Sequence, residues 1–148
     1  MSTKIPPDKL AALVSSVTET MCGLSFENTG THPAVEVSQL RTAALNIEGK
    51  KPILVALSAD LASCSAIGSA MFGCPADQID ASMMEDVLRE LVNMTAGQIK
   101  AELSLDQALG LPRVRDGDEL FAQQPQWVHC ILDSDSINLV VSLVPALV

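Results

Sequence analysis

The stretch Ser82-Met-Met-Glu-Asp-Val-Leu-Arg-Glu-Leu-Val-Asn-Met-Thr-Ala-Gly-Gln-Ile-Lys-Ala-Glu-Leu103 decides how the rest of this chain is read. Its apolar residues recur at helical spacing, and at 1.5 Å per residue it makes a rod of roughly 33 Å. On a wheel, Val87, Leu88, Leu91, Met94, Thr95 and Ile99 share a broad apolar side. Asp86, Glu90, Asn93, Gly97 and Lys100 share the other. Every amphipathic helix has a polar side, but this one has an unusual composition. Asn is a mediocre helix former, and Gly costs about 1 kcal/mol relative to Ala inside a helix. A glycine on that side lets another backbone come close, and an asparagine offers a donor and an acceptor on a short arm. The combination suits a surface that docks against a protein.

The segments on either side set the fold class. Upstream, Asp8 is placed to cap a helix running to about Cys22, with Leu10, Leu13, Val14, Val17 and Met21 on one face and Gly23 as its stop. Asn28 to Pro33 reads as a loop of turn formers, Val35 to Ile47 as one strand or two, and Gly49 to Pro52 as a turn. Ile53 to Leu57 suits a buried strand. A helix then starts at Ser58 or Asp60 and is closed by Gly73, and Pro75 to Ala81 is a polar connection. Downstream, Gly110-Leu-Pro112 breaks the pattern and Arg113 to Glu119 reads as a charged loop. Trp127 to Asp133 and Ile137 to Leu143 read as two strands of a hairpin. The sum is α+β, helices packed on a largely antiparallel sheet, with one domain over residues 1–148.

Composition narrows the function classes. The 148 residues are 48% apolar and 3% aromatic, so the core is aliphatic. A net charge of −9, with basic residues scattered, argues against nucleic acid or an anionic membrane as partner. No apolar run is long enough to span a bilayer and no signal-peptide pattern follows Met1, which makes the cytoplasm the expected location. Cys22, Cys64, Cys74 and Cys130 show no C-x-x-C spacing, and with two histidines no metal site is expected. They read as small buried thiols in a reducing compartment. Asp116 to Glu119 lacks the ligand spacing of a calcium loop, and Asp133 and Asp135 read as turn formers. Trp127 reads as packing, and Met83, Met84 and Met94 as core filler. No convergent set of groups for small-molecule catalysis is visible.

The pattern Asp86-x-x-x-Glu90-x-x-Asn93, followed by Met94-Thr-Ala-Gly97, resembles the active-site signature of the CheX/CheC family of chemotaxis phosphatases. The order of elements from Gly49 through the helix ending Met71-Phe-Gly73 to Leu111-Pro112 is also CheX-like, so the likeness covers roughly residues 45–120. Pro112 follows Asn93 at a somewhat shorter gap than the family's. In CheC-like members the first helix carries a second copy of the signature. Here those positions read Ser15, Glu19 and Cys22, and a thiol cannot supply the amide, so this copy reads as inactive.

The resemblance implies hydrolysis of the aspartyl phosphate of a CheY-like response-regulator receiver domain. It assigns Asn93 to orienting the attacking water and Glu90 to anchoring the receiver's lysine, with Asp86 and Gly97 at the partner contact. The chain would need no cofactor of its own, and Mg²⁺ would sit on the receiver. The alternative is a non-catalytic receiver-binding or scaffold module related to flagellar switch proteins, because fold does not fix function. A homodimer is also expected, both from relatives and from the long apolar strand Ile137 to Val144, which would invite pairing as an exposed edge.

Overall fold

The computed structural model describes residues 5–30, 40–49, 52–116, 128–134 and 137–144. Three helices, α1 (Pro7–Cys22), α2 (Leu61–Phe72) and α3 (Ala81–Glu102), join six strands. The strands are β1 (Glu27–Gly30), β2 (Arg41–Ile47), β3 (Ile53–Ala59), β4 (Arg113–Asp116), β5 (Val128–Ser134) and β6 (Ile137–Val144). They form one sheet in the order β1-β5-β6-β3-β2-β4, and every pairing is antiparallel. Two hairpins, β2–β3 and β5–β6, are joined along β3 and β6.

Strand alternation accounts for the core. Ala43, Leu45, Ile47, Val55, Leu57, Leu139, Val141 and Leu143 point to the helix side and merge with Leu10, Val14, Ile67, Val87, Leu88, Leu91 and Ile99 into one apolar cluster. The intervening residues Thr42 and Ser58 point the other way and are also buried. They are cross-strand partners, and their hydroxyls satisfy each other at 2.7 Å.

Helix boundaries follow from local chemistry. Asp60 caps α2 by accepting from Ser63 N at 2.7 Å, so the helix starts there and Ser58 stays in β3. Asp80 caps α3 in the same way, accepting from Met83 N at 2.8 Å. Asp8 does not cap α1: Pro6 occupies that position without a side-chain bond, and Pro7 opens the helix where a missing N–H costs nothing. Asp8 sits in the first turn, where the helix dipole favours a carboxylate, and accepts from Asn28 Nδ2 at 3.2 Å. Gly23 and Gly73 close α1 and α2 in the left-handed conformation, at φ 72° and 68°.

Three other expectations are corrected. Arg113–Asp116 is the edge strand β4, paired with β2, whereas it read as a charged loop. An edge strand needs a partner on one side only and tolerates charge, which also protects it from further pairing. Glu27–Gly30 forms β1 at the opposite edge, with an irregular register between Asn28 and Gly30, where the composition suggested only a loop. The C-terminal strand β6 lies between β5 and β3, so it offers no free edge and the edge argument for a homodimer fails. The expected strand from Val35 is seen only from Arg41. Residues 31–39, 117–127 and 135–136, which include Trp127 and much of two predicted loops, lie outside the described residues.

The turn after α1 is held by side chains of that helix. Ser15 Oγ accepts from Phe26 N at 2.8 Å, Glu19 Oε1 accepts from Ser25 Oγ at 2.5 Å, and Thr18 Oγ1 donates to Leu24 O at 2.6 Å. Together they fold residues 24–26 back and set Phe26 in the core. Ser15→Ala strips the Phe26 N–H of its acceptor and should lower stability by about 1–2 kcal/mol in urea unfolding. On α3, Thr95 is fully buried and its hydroxyl has no hydrogen-bond partner among the described residues. Thr95→Val keeps the shape and removes the unpaired hydroxyl, so the urea midpoint should rise, by up to about 1 kcal/mol in stability.

Candidate functional site

Helix α3 lies on the sheet through Val87, Leu88, Leu91, Val92, Thr95, Ala96 and Ile99, each at 0% exposure. Contacts to β2 and β3 below, and to α1 and α2 beside it, leave it no freedom to rotate. At 100° per residue, Asp86, Glu90, Asn93 and Gly97 fall within an arc of about 60°, diametrically away from that buried side. The structure therefore brings together all four residues predicted for the site. Asp86, Glu90 and Asn93 are exposed and Gly97 is half-buried.

The four differ in what holds them. Neither the carboxylate of Glu90 nor the amide of Asn93 has a hydrogen-bond or ion-pair partner among the described residues, so both project from a rigid helix toward solvent. Asp86 is engaged: its Oδ1 accepts from Arg89 Nη1 at 3.2 Å, while Arg89 Nη2 lies 3.5 Å from Glu85 Oε2. This small ion-pair cluster was missed on reading the sequence. Its signal was there, since Glu85 and Asp86 stand at four- and three-residue spacing before Arg89.

The glycines separate packing from access. A Cβ on Gly68 of α2 would meet Ile79 Cγ2 at 3.1 Å, so that glycine sits in tight internal packing. A Cβ on Gly97 would meet nothing within 4 Å. No internal neighbour demands a glycine at position 97, although glycine weakens the helix there. What it leaves is a low place on the stripe, one helical turn beyond Asn93.

The surroundings bear on the kind of substrate. A concavity of about 500 Å³ lies at the β2–β4 edge, lined by Asn46, Glu48, Leu109, Leu111 and Arg113 among others, and it includes none of the four stripe residues. Groups that act on a small bound molecule usually converge in such a hollow. Here they stand on a convex helix surface. Among the described residues no three His, Cys, Asp or Glu side chains are grouped to hold a metal ion, and no helix is long and apolar enough to cross a membrane. Cys64 is no nucleophile: burial first, then the nearby Asp60 carboxylate, pushes its thiol up to about 12. Cys22 is pushed up as well, chiefly by burial.

The matching positions on α1 are occupied differently. Ser15 and Glu19 are bonded to residues 25 and 26, and Cys22 Sγ donates to Thr18 O at 3.1 Å. On that helix face Ser15 and Glu19 are spent on the helix's own turn.

No curated protein matches the chain in sequence. Among solved structures, the chemotaxis protein CheX from Vibrio vulnificus superposes with a TM-score of 0.72 at 16% identity, covering 90% of this chain and 91% of that one. The CheX of a CheX–CheY–BeF₃–Mg²⁺ complex from Borrelia burgdorferi gives 0.69 at 12% identity, over 90% and 93%. FliY from Thermotoga maritima gives 0.61 at 11% identity, over 90% and 83%. At such identities these likenesses concern the fold. The sequence profile described as chemotaxis phosphatase CheX matches residues 41–132, which takes in β2 to β4, all of α3 and most of β5, and on that match the chain belongs to the CheX family.

Proposed function

We propose that this protein hydrolyses the aspartyl phosphate of a CheY-like receiver domain, using Asn93 and Glu90 of α3. The observation that carries the reading is the pair itself. An acid and an amide stand one helical turn apart, exposed and without a partner among the described residues, on a helix packed against β2, β3, α1 and α2. Membership of a chemotaxis phosphatase family supports it, as does the fold shared with a CheX captured with CheY.

The chemistry asks little of this chain. An acyl phosphate is already reactive, and a receiver brings its own Mg²⁺ and lysine to offset charge on the phosphoryl group. Hydrolysis needs a water in line with the scissile P–O bond. Water oxygen bonds to phosphorus, the aspartyl carboxylate leaves with the electron pair, and the water's proton passes to bulk or to the departing phosphate. Positioning is the main lever in such a reaction. The Asn93 amide oxygen accepts a hydrogen bond from that water without competing as a charged nucleophile. Glu90 pairs with the receiver's lysine and sets the register of the helix in the partner's pocket. Gly97 lets the partner's backbone settle close to α3. No cofactor is bound by this chain in the scheme.

A second reading, a receiver-binding module without catalysis, stays open because the fold is shared with FliY as well and a fold does not fix a function. One experiment separates the two. Asn93→Ala should still bind the phosphorylated receiver, while its acceleration of phosphate loss falls by about 100-fold or more. Binding by the wild type with no acceleration would establish the scaffold reading. Gly97 gives an independent check. Gly97→Ala should raise stability by up to about 1 kcal/mol, and Gly97→Gln, which also folds because the space is open, should weaken receiver binding without changing the unfolding midpoint downward.

A further inference from the structure

We propose that Arg89 is the specificity-determining cation that allows this acidic surface to dock on the anionic rim of a phosphorylated receiver. The inference rests on the phosphatase reading and adds a residue to it. The chain carries a net charge of −9, and the docking helix presents Glu85, Asp86 and Glu90. An aspartyl phosphate, together with the carboxylates that hold its Mg²⁺, is itself an anionic site. At contact distance such charges lie within a Debye length, about 8 Å at physiological salt, so their repulsion is not screened away. The basic residues of α3 are Arg89 and Lys100. Lys100 lies about 10 Å beyond Asn93 along the axis. Arg89 lies about one turn before Asn93, and about 40° from it around the wheel.

Arg89 is also held in a way that leaves it exchangeable. Its side chain is 40% exposed, and its two partners, Asp86 and Glu85, are 63% and 32% exposed. Exposed pairs of this kind contribute little and are readily exchanged. The guanidinium forms one contact to each carboxylate, at 3.2 and 3.5 Å, and makes no paired fork with either. A partner oxyanion can take the Asp86 contact and offer the better two-pronged geometry. In the free protein the same contacts mask Asp86, so the stripe is less acidic than its composition states.

The test is phosphorylated-receiver decay under turnover conditions, comparing wild type, Arg89→Gln, Arg89→Lys and Lys9→Gln at low and high ionic strength. Lys9 is exposed on α1 and paired with Glu102 at 3.6 Å, so Lys9→Gln removes the same charge away from the stripe. Arg89→Gln should raise KM about fivefold at low salt with kcat nearly unchanged, and the difference should shrink below about twofold at high salt. Arg89→Lys, which keeps the charge and loses the two-pronged contact, should recover part of the loss, and Lys9→Gln should match wild type. A KM change that does not depend on salt, no KM change at all, or an equal change in Lys9→Gln overturns the role of Arg89 and leaves the phosphatase reading intact. Absence of acceleration by the wild type overturns the phosphatase reading, and this inference with it.

Discussion

Helix α3 is pressed onto β2 and β3 by seven side chains with no solvent exposure, and this contact governs everything the protein can present. Burying a Leu, Ile or Val side chain is worth about 1.5–3 kcal/mol. Turning the helix by even one residue's worth of angle would bring apolar groups into water and polar ones into the core. The orientation of Asn93 is therefore set from beneath, by residues that never meet a partner. The role proposed for that amide, holding a water in line, depends on such stiffness, since small errors of placement are costly.

The same scaffold treats its two long helices differently. On α1 the positions equivalent to the signature are turned to internal use, fastening residues 24–26 so that Phe26 can complete the core. On α3 Asp86 is paired with Arg89, while Glu90 and Asn93 have no partner among the described residues. A polar residue on a helix has a limited number of hydrogen bonds to give. If they go to the chain's own turn, they are not available to another molecule.

Several parts of this arrangement were legible beforehand. The periodicity of residues 82–103 marks the helix to within one residue at each end, because aliphatic spacing is a local signal. Phase follows from the same spacing, so the grouping of Asp86, Glu90, Asn93 and Gly97 was readable too. The strand Arg113–Asp116 was not. Four residues with three charges carry no local signal for a strand, and β2 lies far away in the sequence. The interior place of β6 was equally hidden, since a strand of eight residues reads the same whether one or both of its edges are paired.

Sequence alone determined which side chains share a face of α3, because helical geometry converts spacing into direction without help from the rest of the chain. Only the tertiary structure decided which of them are free. Gly97 could have been a packing glycine like Gly68, and Glu90 could have been tied down like Glu19 or Asp86. Spacing names the partners on the same helix, as Arg89 for Asp86, but what else comes within about 3 Å of a polar group is set by how the fold brings other segments beside it.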